Sequence, residues 1–92
     1  MKLHDILFDI HALEQELFTF ERQYGIRSET LYAAYVAGEE PENDEWVLDF
    51  GEWASIYRTC LTRQAEYRNE ADRLVQTVGN GRRLSSLVRV AV

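Results

Sequence analysis

Apolar residues that recur at alternating spacings of three and four constrain this chain most. In the first stretch they are Leu3, Ile6, Ile10, Leu13, Leu17, Phe20 and Tyr24. In the second they are Trp46, Phe50, Trp53, Tyr57, Cys60, Gln64, Tyr67, Ala71, Leu74 and Val78, with Gln64 as the single polar residue. Such spacing places one narrow apolar seam along an α-helix. The pattern predicts two coiled-coil-like helices of unequal length, over about 3–24 and 44–78.

The residues between the two seams predict a short middle helix over about 29–37, with a stop signal on each side. Glycine suits the left-handed position just past a helix, and serine, asparagine or aspartate suits the first cap. In chain order, these residues are Gly25 as the end of the first helix, Ser28 as the cap of the second, Gly38 and Pro41 as its stop, and Asn43 or Asp44 as the cap of the third.

A second line of apolar residues lies beside the main seam of the long helix. Val47, Ala54, Leu61 and Val75 are spaced by seven or fourteen residues, which widens the apolar stripe. We expect the middle helix to cover this wider stripe. Gly51, a poor residue inside a helix, then marks either a close backbone approach or a kink.

The charges favour an antiparallel pairing of the two long helices. Residues 1–53 hold 13 acidic and 3 basic side chains, a net charge of −10, while residues 54–92 hold 3 acidic and 7 basic ones, a net charge of +4. Antiparallel pairing sets Asp5 and Asp9 near Arg63, Arg68 and Arg73, Arg22 near Asp49 and Glu52, and Tyr24 near Phe50. The predicted fold is all-α: an antiparallel helical hairpin with a short middle helix and a C-terminal tail.

The long helix is expected to overshoot its partner and leave apolar side chains uncovered. Residues 1–79 form the predicted hairpin domain, and residues 80–92 form a tail with three arginines and no acid. The tail can return to the core, stay mobile or pair with another chain. Phe8 and Phe18 fall outside the first seam and point to a second contact. The predicted partner-binding residues are Leu74, Val75, Val78, Leu84, Leu87, Val88, Phe8 and Phe18.

The sequence contains few of the residue patterns that are typical of enzyme active sites or metal sites. His4 and His11 lack metal-ligand spacing, and no phosphate loop, nucleophile motif or glycine-rich dinucleotide turn occurs. The acidic loop between the second and third helices lacks the pattern of a calcium-binding loop. We therefore predict no catalytic residue, no cofactor and no metal. The single cysteine, Cys60, and the aromatic residues of the long helix are interpreted as core.

The stretch from Leu13 to Leu61 resembles a group of small, mostly uncharacterised prokaryotic helical proteins. Their shared pattern is matched here by Phe20, Glu21, Tyr24, Gly25, Ser28, Tyr32, Gly38, Glu52, Trp53, Ala54 and Tyr57. Many members are encoded beside small toxin-like proteins, so the resemblance implies an antitoxin-like role. No catalytic residue carries over, and residues after Val78 match no pattern of the group.

The sequence thus predicts a non-enzymatic protein-interaction module, and the resemblance implies an antitoxin-like protein that binds and neutralises a partner toxin. One alternative is a homo-oligomeric helical scaffold without inhibitory role. Another is a metal-dependent small helical nucleotide hydrolase, for which Glu66, Glu70 and Asp72 would be the carboxylates. The acidic chain disfavours nucleic acid except at its basic tail, and the sequence predicts a cytoplasmic protein without a membrane partner.

Overall fold

A computed structural model of the chain describes residues 2–78 and contains three helices. They are α1 (Leu3–Tyr24), α2 (Ser28–Val36) and α3 (Asp44–Val78), and no strand occurs in residues 2–78. The predicted all-α hairpin with a short middle helix is confirmed. Residues 79–92 lie outside the described part of the chain. The predicted contacts of Leu84, Leu87 and Val88 therefore lie outside it as well.

The first and third helices have the ends that the sequence predicts. Gly25 follows α1 with φ 78°, in the left-handed region, and its amide donates to the carbonyl oxygen of Glu21 at 2.8 Å. Asn43 precedes α3, and its Oδ1 accepts a hydrogen bond from the Glu45 amide at 2.8 Å. These bonds satisfy backbone groups that a helix terminus otherwise leaves without a partner.

The second helix ends in a two-bond cap around Gly38. This glycine has φ 87°, which L-residues with a side chain rarely adopt. Its amide donates to the Tyr35 carbonyl oxygen at 3.1 Å, and the Glu39 amide donates to the Ala34 carbonyl oxygen at 3.1 Å. The pair of bonds is a Schellman motif, and it reverses the chain toward α3.

The predicted role of Ser28 as a helix cap is wrong. Helix α2 begins at Ser28 itself, one residue earlier than predicted, and Arg27 holds the cap position with extended φ and ψ of −75° and 147°. The hydroxyl of Ser28 does not bond its own helix. It bonds side chains of α1 and α3 instead, so a long-range interaction replaces the local one.

Helices α1 and α3 run antiparallel. The rings of Tyr24 and Phe50 lie 5.1 Å apart at one end of the pair, and Asp9 Oδ2 lies 3.5 Å from Arg63 Nε toward the other. Asp49, predicted as a partner of Arg22, accepts a hydrogen bond from the Tyr24 hydroxyl. The predicted antiparallel direction of α1 and α3 is therefore confirmed. Of the predicted charge pairs, the one between Asp9 and Arg63 is observed.

The core lies where all three helices meet. One buried cluster contains Leu17, Leu31, Trp53, Ala54 and Cys60. The Trp53 side chain is completely buried and stacks on Phe20 with ring centroids 5.4 Å apart. The interpretation as core is confirmed for Cys60 and Trp53, while Phe50 and Tyr57 pack against the core and are partly buried. It is wrong for Trp46, which is 42% exposed at the first turn of α3.

Helix α2 covers less of α3 than the wider stripe predicted. Only Ala54 of the four stripe residues is buried, whereas Val47, Leu61 and Val75 are exposed. The reason is length, because nine residues of helix span about 14 Å and α3 has 35 residues. A Cβ added to Gly51 would lie 3.9 Å from Tyr35 Oη, an ordinary contact, so the expected close backbone approach is absent there.

Candidate interaction surfaces

A buried hydrogen-bond chain joins the three helices at their junction. The Trp53 indole N–H donates to Ser28 Oγ at 2.8 Å. The Ser28 hydroxyl donates in turn to Glu21 Oε2 at 2.8 Å, and the Ser28 amide donates to the same oxygen at 2.8 Å. The Glu21 carboxylate therefore fills the cap role at the start of α2, from a neighbouring helix.

Electrostatics at the junction favour the charged form of Glu21. Burial raises the pKa of its carboxyl group, but the two hydrogen bonds from Ser28 and the charge of Arg27 outweigh burial, and the pKa lies below the usual range. Burial raises the pKa of the Cys60 thiol, with a smaller contribution from Glu14. A buried thiol with a raised pKa is a poor nucleophile.

Residues of the resemblance pattern meet in this junction and have packing roles there. Tyr24 stacks on Trp53 at 5.7 Å between centroids, and Tyr32 contacts Tyr57 at 5.1 Å. Arg58 Nε donates to the Tyr32 hydroxyl at 3.2 Å. The pattern thus encodes how α2 is held against the hairpin.

A cleft opens beside the junction, where α2 begins and the seam between α1 and α3 is no longer covered. Its volume is about 200 Å³. Leu17 and Cys60 lie in the cleft, together with the exposed side chains of Phe18 and Leu61. The charged and polar lining residues are three acids, one base and one amide: Glu14, Glu21, Glu29, Arg27 and Gln64. A cleft with both apolar and mainly acidic lining residues suits a polypeptide segment that carries both apolar and basic side chains.

At the end of the hairpin where α3 begins, residues 36–52 form a segment that we call the acidic end. This stretch contains seven carboxylates and no lysine or arginine. It also exposes large apolar side chains, with Leu48 at 80% and Val36 at 60% exposure, and Trp46 and Val47 less so. Exposed apolar side chains among charges of one sign are typical of a protein-binding surface. The seam pattern does not predict this surface, because Leu48 lies outside the seams.

The predicted partner-binding residues do not form one surface in the described part of the chain. Phe8 is 68% exposed on α1, and Phe18 lies in the cleft, ten residues away. Leu74 is half-buried and Val75 is exposed near the end of α3. The exposure expected near the end of α3 is thus seen at Val75 and not at Leu74, and partner binding by these residues stays a prediction. The burial of Val78 lies outside the description.

Neither a metal site nor a membrane-spanning helix is found in residues 2–78. No group of three or more histidine, cysteine or acidic side chains in this range converges to hold an ion. None of the three helices has the length and apolar character needed to cross a bilayer. Comparison of the chain with protein-family models, with curated proteins and with solved structures gives no match.

Proposed function

We propose that this protein is a non-enzymatic interaction module of the antitoxin type, which binds and neutralises a basic partner protein. The observation that carries the proposal is the acidic end, where Leu48 and Val36 are exposed among seven carboxylates. The resemblance to small proteins encoded beside toxin-like genes supports the same function. The exposed apolar residues of the acidic end lie on α2 and α3, and their place on helices limits the entropy lost on binding.

The charged and the apolar side chains of this surface would have different roles in binding. The carboxylates attract a basic partner from a distance and raise the association rate, an effect that salt screens. Leu48, Val47 and Trp46 supply the apolar contact that holds the complex, because removal of such side chains from water is the main source of affinity.

The test uses the protein encoded next to this chain as the binding partner. Growth is measured with the neighbour expressed alone and with both proteins expressed, and the affinity of the purified pair is measured by calorimetry. We expect rescue of growth and a complex that Leu48→Ala weakens by about tenfold, about 1.4 kcal/mol. Thr59→Ala, on an exposed position of the same helix, is the matched control and should leave affinity unchanged.

A second pair of variants separates charge from shape. Neutralising Glu39, Glu42 and Glu45 to glutamine should slow association and flatten its salt dependence. Neutralising the exposed Asp5, Glu16 and Asp72, which lie elsewhere, changes net charge equally and should affect association less. Equal effects of the two triple variants would contradict a role for the acidic end. A tight homodimer with no complex and no rescue would instead favour the scaffold.

A further inference from the structure

Another pocket lies beside α2, at the edge of the acidic end, and we call it the loop pocket. Its volume is about 190 Å³. Its apolar and aromatic lining residues come from the turn before α2, from α2, from the loop that follows and from α3: Ile26, Leu31, Ala34, Tyr35, Pro41 and Phe50. An apolar cavity of about 150 Å³ already holds a benzene ring. The loop pocket therefore has space for one phenylalanine or leucine side chain.

The walls of the loop pocket are held in place by the core and by the cap of α2. Leu31 is buried in the central cluster, and Phe50 packs against that cluster. On the loop side, the Glu39 amide donates to the Ala34 carbonyl oxygen at 3.1 Å, which fixes the loop relative to α2. A pocket that exists before binding loses little conformational entropy when a side chain enters it.

Two large side chains of the loop pocket remain partly in water. Ile26 and Tyr35 are each 42% exposed. An apolar side chain bound between them would remove their surfaces from water, which is the main favourable contribution to association. The pocket thus favours an apolar occupant.

The charged residues that line the loop pocket are both acidic. Glu39 and Glu40 are exposed, and no described lysine, arginine or histidine lines the pocket. The cleft beside the junction differs, because Arg27 lies in it. Basic residues next to the bound apolar side chain would meet these carboxylates, whereas acidic ones would be repelled. A second copy that presented its own acidic end would be repelled in the same way.

From the space, the apolar walls and the acidic rim, we propose that the loop pocket binds one phenylalanine or leucine side chain of a partner segment with lysine or arginine on both sides of it. This inference rests on the proposed function, because it names the part of a basic partner that the acidic end would recognise. Leu48 contributes open contact surface, and the loop pocket contributes one enclosed position. An enclosed position discriminates between partner sequences more strongly than open surface does.

Short peptides test the loop pocket without the partner protein. The probe is a pentapeptide with phenylalanine between two pairs of lysines. One control replaces the phenylalanine by alanine, and the other replaces the four lysines by serines. Titration of the full chain, followed by amide and methyl NMR, should give saturating shifts at Leu31, Ala34 and Tyr35. We expect the alanine peptide to bind at least about tenfold more weakly and the serine peptide at least about threefold more weakly.

A matched pair of substitutions in α2 tests the location. Ala34→Leu adds a side chain that would fill part of the pocket, whereas Ala33→Leu adds the same atoms at an exposed position outside it. We expect Ala34→Leu to weaken the binding of the phenylalanine peptide at least about tenfold, because the bound ring and the new side chain compete for one space. Ala33→Leu should leave the affinity unchanged.

A matched pair of double variants tests the charges. Glu39→Gln combined with Glu40→Gln should remove most of the preference for the lysine peptide over the serine peptide. The same change at Glu42 and Glu45, which belong to the acidic end but do not line the pocket, should keep most of it. Equal losses in the two double variants would show that the pocket does not select the basic residues.

The other outcomes overturn the inference. Equal binding of the phenylalanine and alanine peptides, or shifts centred away from the loop pocket, would show that it takes no apolar side chain. Shifts at Ala34 on dilution of the protein alone would place a second copy there. These measurements use the unmodified protein, so they decide even if Ala34→Leu does not fold.

The two proposals can fail separately. Peptide binding at the loop pocket without any complex with the neighbouring protein would contradict the proposed function alone. A complex that rescues growth and that Leu48→Ala weakens, together with no binding of the phenylalanine peptide, would contradict this inference alone.

Discussion

The half of the hairpin that α2 covers differs sharply from the half that it leaves open. In the covered half, α2 joins Leu17, Trp53, Ala54 and Cys60 in one buried cluster. In the open half, Ile6 and Ile10 are buried on α1, while the α3 seam residues Gln64, Tyr67, Ala71 and Leu74 are each only half-buried. The same seam pattern therefore gives different burial in the two halves.

The difference shows what two paired helices can and cannot bury. A pair covers one line of residues on each partner, and the residues beside that line stay in contact with water. A third element is needed to cover them, and α2 supplies it over nine residues. The buried polar chain from Trp53 to Glu21 is possible only in the covered half, because water would compete for it elsewhere.

The largest expected effect is loss of the side chain at the centre of the covered half. Trp53→Ala should lower the free energy of unfolding by about 3–5 kcal/mol, because it empties a fully buried site. Leu74→Ala, in the open half, should cost about 1–2 kcal/mol, since its side chain is half-buried. Urea unfolding followed by circular dichroism measures both. Equal costs would remove the distinction between the two halves.

A smaller loss is expected when the polar chain is broken at its middle. Ser28→Ala should cost about 1–3 kcal/mol, because the buried Trp53 N–H loses its acceptor. Trp53→Phe removes the donor, so adding Ser28→Ala to Trp53→Phe should cost less than Ser28→Ala alone. A double-mutant cycle measured by urea unfolding gives this coupling. Additive costs would show that the hydrogen bond contributes nothing.

The Glu21 carboxylate should make the junction sensitive to acid. Its folded pKa lies below the ordinary value of 4.5, because hydrogen bonds from Ser28 outweigh burial. The stabilisation is therefore present above about pH 4.5 and is lost as the pH falls through the folded pKa. Unfolding free energies measured from pH 7 to pH 2 should fall less steeply in Glu21→Gln than in the wild type. Parallel curves would exclude this carboxylate as the source.

A substitution at Gly51 is expected to stabilise the fold, unlike the substitutions described above. Space for a Cβ is present, so Gly51→Ala should raise the free energy of unfolding by up to about 1 kcal/mol. Gly25→Ala is the matched control and should destabilise, because φ 78° at Gly25 strains any residue with a Cβ. Melting temperatures give the sign of both changes. A loss of stability in Gly51→Ala would indicate a requirement for glycine at this position.

The smallest effect concerns the edge of the covered half. The hydrogen bond to Asp49 and burial raise the pKa of Tyr24 to about 12. Its contribution to stability is therefore complete below its ordinary pKa of about 10 and is lost as the pH rises toward 12. Absorbance at 295 nm, compared between wild type and Tyr24→Phe, isolates its titration. Asp49→Asn should lower that pKa, and an unchanged titration would contradict the bond.

The sequence predicted those features that local chemistry determines. Seam spacing and the residues Gly25 and Asn43 gave the bounds of the long helices, and charge gave their antiparallel direction. The partners of Ser28 could not be predicted, since they lie seven and twenty-five residues away. The exposure of Leu61 depends on where α2 ends its contact with α3. The spacing of apolar residues along the chain does not give the extent of that contact. The cleft was therefore not predicted from the sequence.

Amide hydrogen exchange along α3 tests most directly the claim that α2 divides the hairpin into two halves of different stability. The account predicts that amides from Phe50 to Cys60 exchange only through global unfolding, with opening free energies at least about 2 kcal/mol above those from Tyr67 to Leu74. Uniform protection along the whole of α3 would contradict it.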